Sequence, residues 1–75
     1  MEKVIKSIIE NKFGISPKDY TSESNFKEDL GFDSLDVVDL VMEIEKEFNI
    51  SIPDSDIERI LTIKGLINYV KGRLS

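Results

Sequence analysis

Apolar residues recur at helical spacing near both ends of the chain, and no segment alternates apolar and polar residues as a half-buried strand would. At about residues 2–13 five apolar side chains form one stripe, namely Val4, Ile5, Ile8, Ile9 and Phe13. Gly14 follows at the position of a C-terminal cap. The last helix is predicted to begin after Thr62, and its expected buried stripe is Ile63, Leu66, Ile67, Val70 and Leu74.

Two further helices are predicted in the middle of the chain. The longer one covers about residues 34–48, with Asp33 as its cap and Asp36 in its first turn. The shorter one covers about residues 54–60, because Pro53 suits the start of a helix. The pattern therefore predicts an all-α fold, a small antiparallel four-helix bundle with three longer helices and one short helix, as a single domain of residues 1–75.

Residues 14–33 form a long loop in this prediction, since they contain two glycines, a proline and a polar cluster. Long loops in small domains are functional or are held down by apolar side chains. We expect anchoring rather than disorder, through Ile15, Tyr20, Phe26, Leu30 and Phe32.

The helix at 34–48 has two apolar stripes. At about 100° per residue, five side chains fall within one arc and are expected to face the core, namely Val37, Leu40, Val41, Ile44 and Phe48. Leu35, Val38 and Met42 form a second stripe on nearly the opposite side, flanked by the carboxylates of Asp36, Asp39, Glu43 and Glu45. Exposed apolar surface rimmed with charge is typical of a protein interaction site. The alternative is that another element covers this stripe.

The net charge of −5 is unevenly distributed along the chain. Residues 28–58 contain eleven acidic residues against one lysine, and so carry a net charge of −10. Such a surface repels nucleic acid and anionic membranes and attracts basic proteins. The alternative is an acidic face that serves solubility alone.

The composition argues against an enzyme. The chain has no cysteine and no histidine, which removes thiol nucleophiles, the commonest general base and the commonest metal ligands. Residues 54–58 are acidic but lack the glycine and the glutamate of a calcium loop, so no metal site is expected. No apolar run approaches the about 20 residues that span a bilayer, and residues 1–15 do not resemble a signal peptide, so we expect a cytoplasmic protein without stable membrane insertion.

Ser34 lies between two carboxylates, those of Asp33 and Asp36, where a loop is predicted to become a helix. Serine and aspartate are common at helix starts for capping alone, which is the alternative explanation. At such a position, however, free N–H groups and the positive end of the helix dipole favour a phosphate joined to the serine oxygen. Ser34 is therefore a candidate attachment site.

The chain resembles an acyl carrier protein over essentially its whole length. Three segments carry the resemblance, namely the attachment motif at residues 28–36, the second helix at residues 40–48 and the start of the short helix at residues 52–54. In that family a phosphopantetheinyl transferase moves 4′-phosphopantetheine from coenzyme A onto the motif serine, which is Ser34 by position. The resemblance therefore implies a carrier of acyl thioesters, not an enzyme.

The resemblance also implies a surface that docks basic patches of acyl-chain synthesis enzymes. By position this surface comprises Asp33, Leu35, Asp36, Val38, Asp39, Met42 and Glu45, with Asp54 and Ile57 at its edge. Apolar side chains that part to shelter an acyl chain are a further trait of the family, and the candidates are Leu40, Ile44, Ile52, Ile60 and Leu61, each of which also fits an ordinary core position.

Two residues depart from the family pattern. Phe32 stands where many fatty-acid carriers have a small residue, so the mouth of the acyl cleft or a partner contact is expected to differ. Lys46 interrupts a usually acidic stretch and either weakens one docking pair or neutralises local repulsion.

The preferred interpretation is a monomeric, stand-alone carrier in fatty-acid biosynthesis, because the predicted helices reach both ends of the sequence and leave no linker. A discrete carrier of a polyketide or peptide-synthesis pathway is the nearest alternative. An unmodified acidic interaction module is the alternative from a different class.

Overall fold

The computed structural model describes residues 1–74 and contains four α-helices. They are α1 (Glu2–Phe13), α2 (Ser34–Phe48), α3 (Asp54–Ile57) and α4 (Ile63–Leu74), with a short 3-10 helix at Pro17–Asp19. The described residues contain one isolated β-bridge, between Asn25 and Thr62, and no strand. The all-α bundle of three longer helices and one short helix is thus confirmed. No helix among these residues is both long enough and apolar enough to cross a membrane.

The ends of α1 and α2 follow from local chemistry. Gly14 adopts a left-handed conformation with φ 71°, and its N–H donates to the carbonyl of Glu10. Asn49 does the same after α2, with φ 53° and a bond to the carbonyl of Glu45. Glycine and asparagine tolerate this conformation best, so both helices end where the sequence predicts.

The short helix α3 ends at Ile57, so the prediction of residues 54–60 was three residues too long. The N–H of Arg59 donates to the carbonyl of Asp56, and the N–H of Ile60 donates to that of Ile57. These bonds span three residues rather than four, which tightens the chain into 3-10 turns. The tighter winding accompanies the burial of Ile60 in the core.

The core is built from the predicted faces of the helices with two corrections. Among residues 1–74 fifteen apolar residues are buried, including Ile5, Ile9, Val37, Leu40, Val41, Ile44, Ile63, Leu66, Ile67 and Val70. Leu74 was predicted to be buried but is 48% exposed, since it lies at the end of α4, beyond the packed turns. Val4 is also exposed, because it lies at the edge of its stripe, about 100° from Ile5.

The long loop before α2 is anchored as predicted. Tyr20, Phe26 and Phe32 are buried, and Ile15 and Leu30 pack against the core. Backbone bonds also tie the loop to the start of α4, because the N–H of Phe26 donates to the carbonyl of Leu61 at 2.9 Å and the N–H of Lys64 donates to that of Ser22 at 2.7 Å. The loop is therefore hydrogen-bonded to the segment that joins α3 to α4 and to the first turn of α4.

Three polar contacts hold α3 and the segment before it. The Tyr69 hydroxyl donates to Asp56 Oδ2 at 2.6 Å, which joins α4 to α3. Arg73 Nη2 donates to the carbonyl of Ser51 at 2.7 Å. The N–H of Ile52 donates to Glu45 Oε2 at 2.8 Å. A four-residue helix has little stability of its own, so these contacts determine where it lies.

Candidate functional site

Ser34 is the first residue of α2 and is exposed. A reciprocal pair of hydrogen bonds caps the start of this helix. Asp33 Oδ1 accepts from the N–H of Asp36 at 2.9 Å, and Asp36 Oδ2 accepts from the N–H of Asp33 at 3.2 Å. The first bond confirms Asp33 as the cap. The return bond was missed, because this capping box is usually recognised by a glutamate or glutamine at the position of Asp36.

The capping box leaves donors free around the Ser34 hydroxyl. The N–H groups of Ser34 and Leu35 have no acceptor among residues 1–74, and the hydroxyl itself forms no hydrogen bond with these residues. The first N–H groups of a helix carry the positive end of its dipole. An anionic group on the Ser34 oxygen would therefore lie beside two free N–H groups.

Phe32 lies in the core rather than on the predicted docking surface. It is 6% exposed, and its ring packs against those of Phe13 and Phe26 with centroid distances of 4.6 Å and 5.6 Å. Gly31, with φ 73°, supplies the left-handed turn immediately before it. The expected effect of Phe32 on a cleft mouth or a partner contact is thus at most indirect, through its packing against Phe26.

A cavity of about 340 Å³ opens beside Ser34. Its apolar lining is Phe26, Val37, Val38, Ile57, Ile60 and Leu61, and its polar lining is Asn25, Lys27, Ser34, Asp54 and Glu58. Two of the predicted cleft residues, Ile60 and Leu61, line it. The other three, Leu40, Ile44 and Ile52, are not part of the lining and are buried in the core.

The second apolar stripe of α2 faces solvent. The exposed fractions of Leu35, Val38 and Met42 are 74%, 39% and 49%. Asp39 beside them is exposed, and Asp36 is half-buried. The alternative that another element covers this stripe is therefore wrong for the described residues.

The other predicted docking residues occupy different surroundings. Asp54 and Ile57 lie near the stripe, because they line the same cavity as Val38. Glu45 is half-buried, and one oxygen of its carboxylate is engaged by the N–H of Ile52. Glu45 therefore has a structural role that the sequence pattern did not reveal.

Lys46 extends from α2 and pairs loosely with Glu43. Its Nζ lies 3.9 Å from Glu43 Oε1, and Lys12 of α1 lies at the same distance from that oxygen. Ion pairs as exposed as these contribute at most about 1 kcal/mol. In residues 1–74 the contact of Lys46 is with Glu43 and not with the predicted docking carboxylates.

Two tyrosines have perturbed titration. The hydrogen bond with Asp56, together with burial and the charge of Asp56, raises the pKa of Tyr69 above 10.0, although Arg73 opposes the shift. Burial and the nearby Glu10 raise the pKa of Tyr20, whose hydroxyl is buried without a hydrogen-bond partner in the described part of the chain. Across residues 1–74 no group of three or more acidic side chains is arranged to hold a metal ion.

Comparison with known proteins identifies the family. The sequence model of the family described as "Phosphopantetheine attachment site" matches residues 3–70. The crystal structure of an acyl carrier protein from Thermotoga maritima is similar, with a TM-score of 0.84 and 42% sequence identity over 96% of this chain and 84% of that chain. The chain therefore belongs to the acyl carrier proteins, which are carriers with a covalent 4′-phosphopantetheine group and not enzymes.

Proposed function

We propose that Ser34 is the attachment site for 4′-phosphopantetheine and that this protein delivers acyl thioesters in fatty-acid biosynthesis. The observation that carries the proposal is an exposed serine hydroxyl at a capped helix start, on the rim of an apolar cavity. The prosthetic group supplies the thiol that the sequence lacks. A phosphopantetheinyl transferase and acyl-chain synthesis enzymes are the corresponding partners.

The residues around Ser34 fit the phosphate end of this group. The free N–H groups of Ser34 and Leu35 favour an anion bonded to the Ser34 oxygen. The carboxylates of Asp33 and Asp36 each accept a backbone N–H, so part of their charge is compensated locally. The helix start is thus capped without the use of the Ser34 hydroxyl.

The cavity supports the choice of a hydrocarbon cargo. Its volume lies at the lower end of the range of about 300–1,000 Å³ that is usual for small-molecule pockets. Six apolar side chains line it, and burial of an alkyl chain among them is favourable. A discrete carrier of a polyketide or peptide pathway is the second candidate, because five polar residues also line the cavity.

We propose that the face of α2 that carries the second apolar stripe, together with the cap residue before the helix, is the docking surface for basic patches of partner enzymes. It consists of Asp33, Leu35, Asp36, Val38, Asp39, Met42 and Glu45, with Asp54 and Ile57 from α3. Three exposed apolar side chains supply contact area, and the net charge of −10 over residues 28–58 attracts a basic partner. Because the same charge opposes self-association, we propose that the protein is a monomer. We also propose that residues 1–75 form one domain and that the protein is cytoplasmic.

The test is an intact-mass spectrum after incubation with coenzyme A and a promiscuous phosphopantetheinyl transferase. We expect a gain of one phosphopantetheine in the parent and none in Ser34→Ala. Ser55→Ala is a matched control, because Ser55 also lies between two aspartates at the start of a helix, and it should be modified like the parent. An unmodified parent beside a modified control carrier would favour the unmodified interaction module instead.

The cargo is tested on the loaded protein. A saturated acyl group is expected to shift the NMR signals of Val37, Ile57 and Ile60, because they line the cavity, and to leave those of Ile5 and Ile9 unchanged. If polar ketoacyl groups shift the cavity signals and saturated ones do not, the polyketide alternative is favoured.

A further inference from the structure

Lys27 lies in the same cavity as Ser34, on the loop before α2. Among the residues that line this cavity in the described chain, Lys27 is the single cation, and Asp54 and Glu58 are the carboxylates. Lys27 forms no ion pair with a carboxylate of residues 1–74. Lys27 therefore lines the same cavity as the attachment serine and has no ion-pair partner among residues 1–74.

The backbone on both sides of Lys27 is fixed. Asn25 Oδ1 accepts from the N–H of Lys27 at 2.9 Å and from that of Glu28 at 3.0 Å. Phe26 is buried, and its N–H donates to the carbonyl of Leu61. The side chain of Lys27 is exposed and unengaged, while its point of origin on the cavity rim is held by these contacts.

A phosphodiester on Ser34 would add a negative charge close to several carboxylates. Asp33 and Asp36 flank Ser34, and Asp54 and Glu58 line the cavity beside it. Repulsion between like charges disfavours such an arrangement unless a cation compensates it. A lysine ammonium paired with a phosphate forms a charge-assisted hydrogen bond, which is stronger than a neutral one.

We propose that Lys27 binds the phosphate of the phosphopantetheine arm and thereby positions the arm at the mouth of the cavity. This inference rests on attachment of the arm at Ser34. Lys27 is a positioning residue in this role, since the bond between Ser34 and the phosphate does not require it.

The experiment compares four proteins, each with and without the arm. They are the parent, Lys27→Gln, Lys27→Arg and, as a matched control, Lys18→Gln. Lys18 is also exposed but belongs to the 3-10 helix and does not line the cavity, so its substitution changes the net charge equally. Intact mass first establishes that each protein carries one arm, and the melting temperature and the ³¹P NMR spectrum are then measured.

The quantity of interest is the melting temperature with the arm minus that without it. We expect this difference to be about 2–4 °C more positive in the parent than in Lys27→Gln, from the usual strength of an exposed ion pair in a domain of this size. Lys18→Gln and Lys27→Arg should match the parent. The ³¹P chemical shift should differ from that of the parent in Lys27→Gln and equal it in Lys18→Gln. The effect of Lys27→Gln on the melting-temperature difference should vanish in about 1 M salt.

Other outcomes overturn the proposal. If Lys27→Gln changes the melting temperature equally with and without the arm, Lys27 stabilises the fold itself, for example through Asp54 or Glu58, and does not act on the arm. If Lys18→Gln reproduces the effect, only the general charge of the protein matters. If no protein gains the arm, the attachment at Ser34 fails and the inference fails with it, whereas normal loading without a Lys27 effect refutes the inference alone.

Discussion

Asp36 is predicted to serve both the start of α2 and partner docking, whereas Asp39 serves docking alone. Asp36 Oδ2 accepts the N–H of Asp33 at 3.2 Å, and Asp36 lies in the first turn of the helix. Asp39 lies one turn later and forms no hydrogen bond or ion pair with the other described side chains. Substitutions at these two positions can therefore separate stability from docking.

The expected size of the effect follows from two contributions. Asp36→Ala removes one hydrogen bond at an accessible position, worth about 0.5–1 kcal/mol. It also removes a negative charge near the N-terminus of a helix, worth about 0.3–1 kcal/mol. We expect a loss of about 1 kcal/mol in the free energy of unfolding, or a melting temperature lower by about 4–8 °C.

Two companion variants complete the design. Asp36→Asn retains an oxygen that can accept the N–H of Asp33, so it should lose about half as much stability as Asp36→Ala. Asp39→Asn should stay within about 0.5 kcal/mol of the parent, because the dipole effect is confined to the first turn. All three variants should be modified more slowly by the transferase, since each removes one carboxylate from the proposed docking surface.

The assay combines thermal unfolding with the initial rate of phosphopantetheine transfer, both at low salt. Equal melting temperatures for Asp36→Ala and Asp39→Asn would show that the return bond of the capping box contributes nothing to stability. A normal transfer rate in Asp39→Asn would remove this carboxylate from the proposed docking surface.

Three further predictions concern stability. Tyr20→Phe removes a buried hydroxyl that has no partner and should raise the free energy of unfolding by about 1 kcal/mol, whereas a loss would indicate a bound water at that site. Tyr69→Phe removes the bond to Asp56 and should lower the melting temperature. Because folding raises the pKa of Tyr69, the stability that this group contributes is present below pH 10.0 and is lost as the pH rises through the pKa of the folded state. The free energies of urea unfolding of parent and variant should therefore differ less at about pH 11 than at about pH 9. Millimolar magnesium or added salt should raise the melting temperature at neutral pH, because residues 28–58 carry a net charge of −10, and an unchanged value would show that this repulsion is negligible.

Local chemistry made most of the helices predictable. Helix ends at Gly14 and Asp33 depend on residues within four positions, so the sequence alone places them. The two stripes of α2 also follow from spacing, and the exposure of Leu35 and Met42 confirms them. The end of α3 was predicted less well, because a helix this short takes its shape from its neighbours rather than from its own residues.

The sequence by itself determined the helical class, the position of Ser34 at a helix start and the acidic face beside it, since each depends on residues that are close in the chain. Only the tertiary structure decided what surrounds Ser34. The path of the long loop brings Lys27 and Leu61 to one cavity and buries Phe32, and the packing of α2 against the following segment engages Glu45. These contacts join residues from different helices and loops, and no local pattern specifies which of these groups will meet.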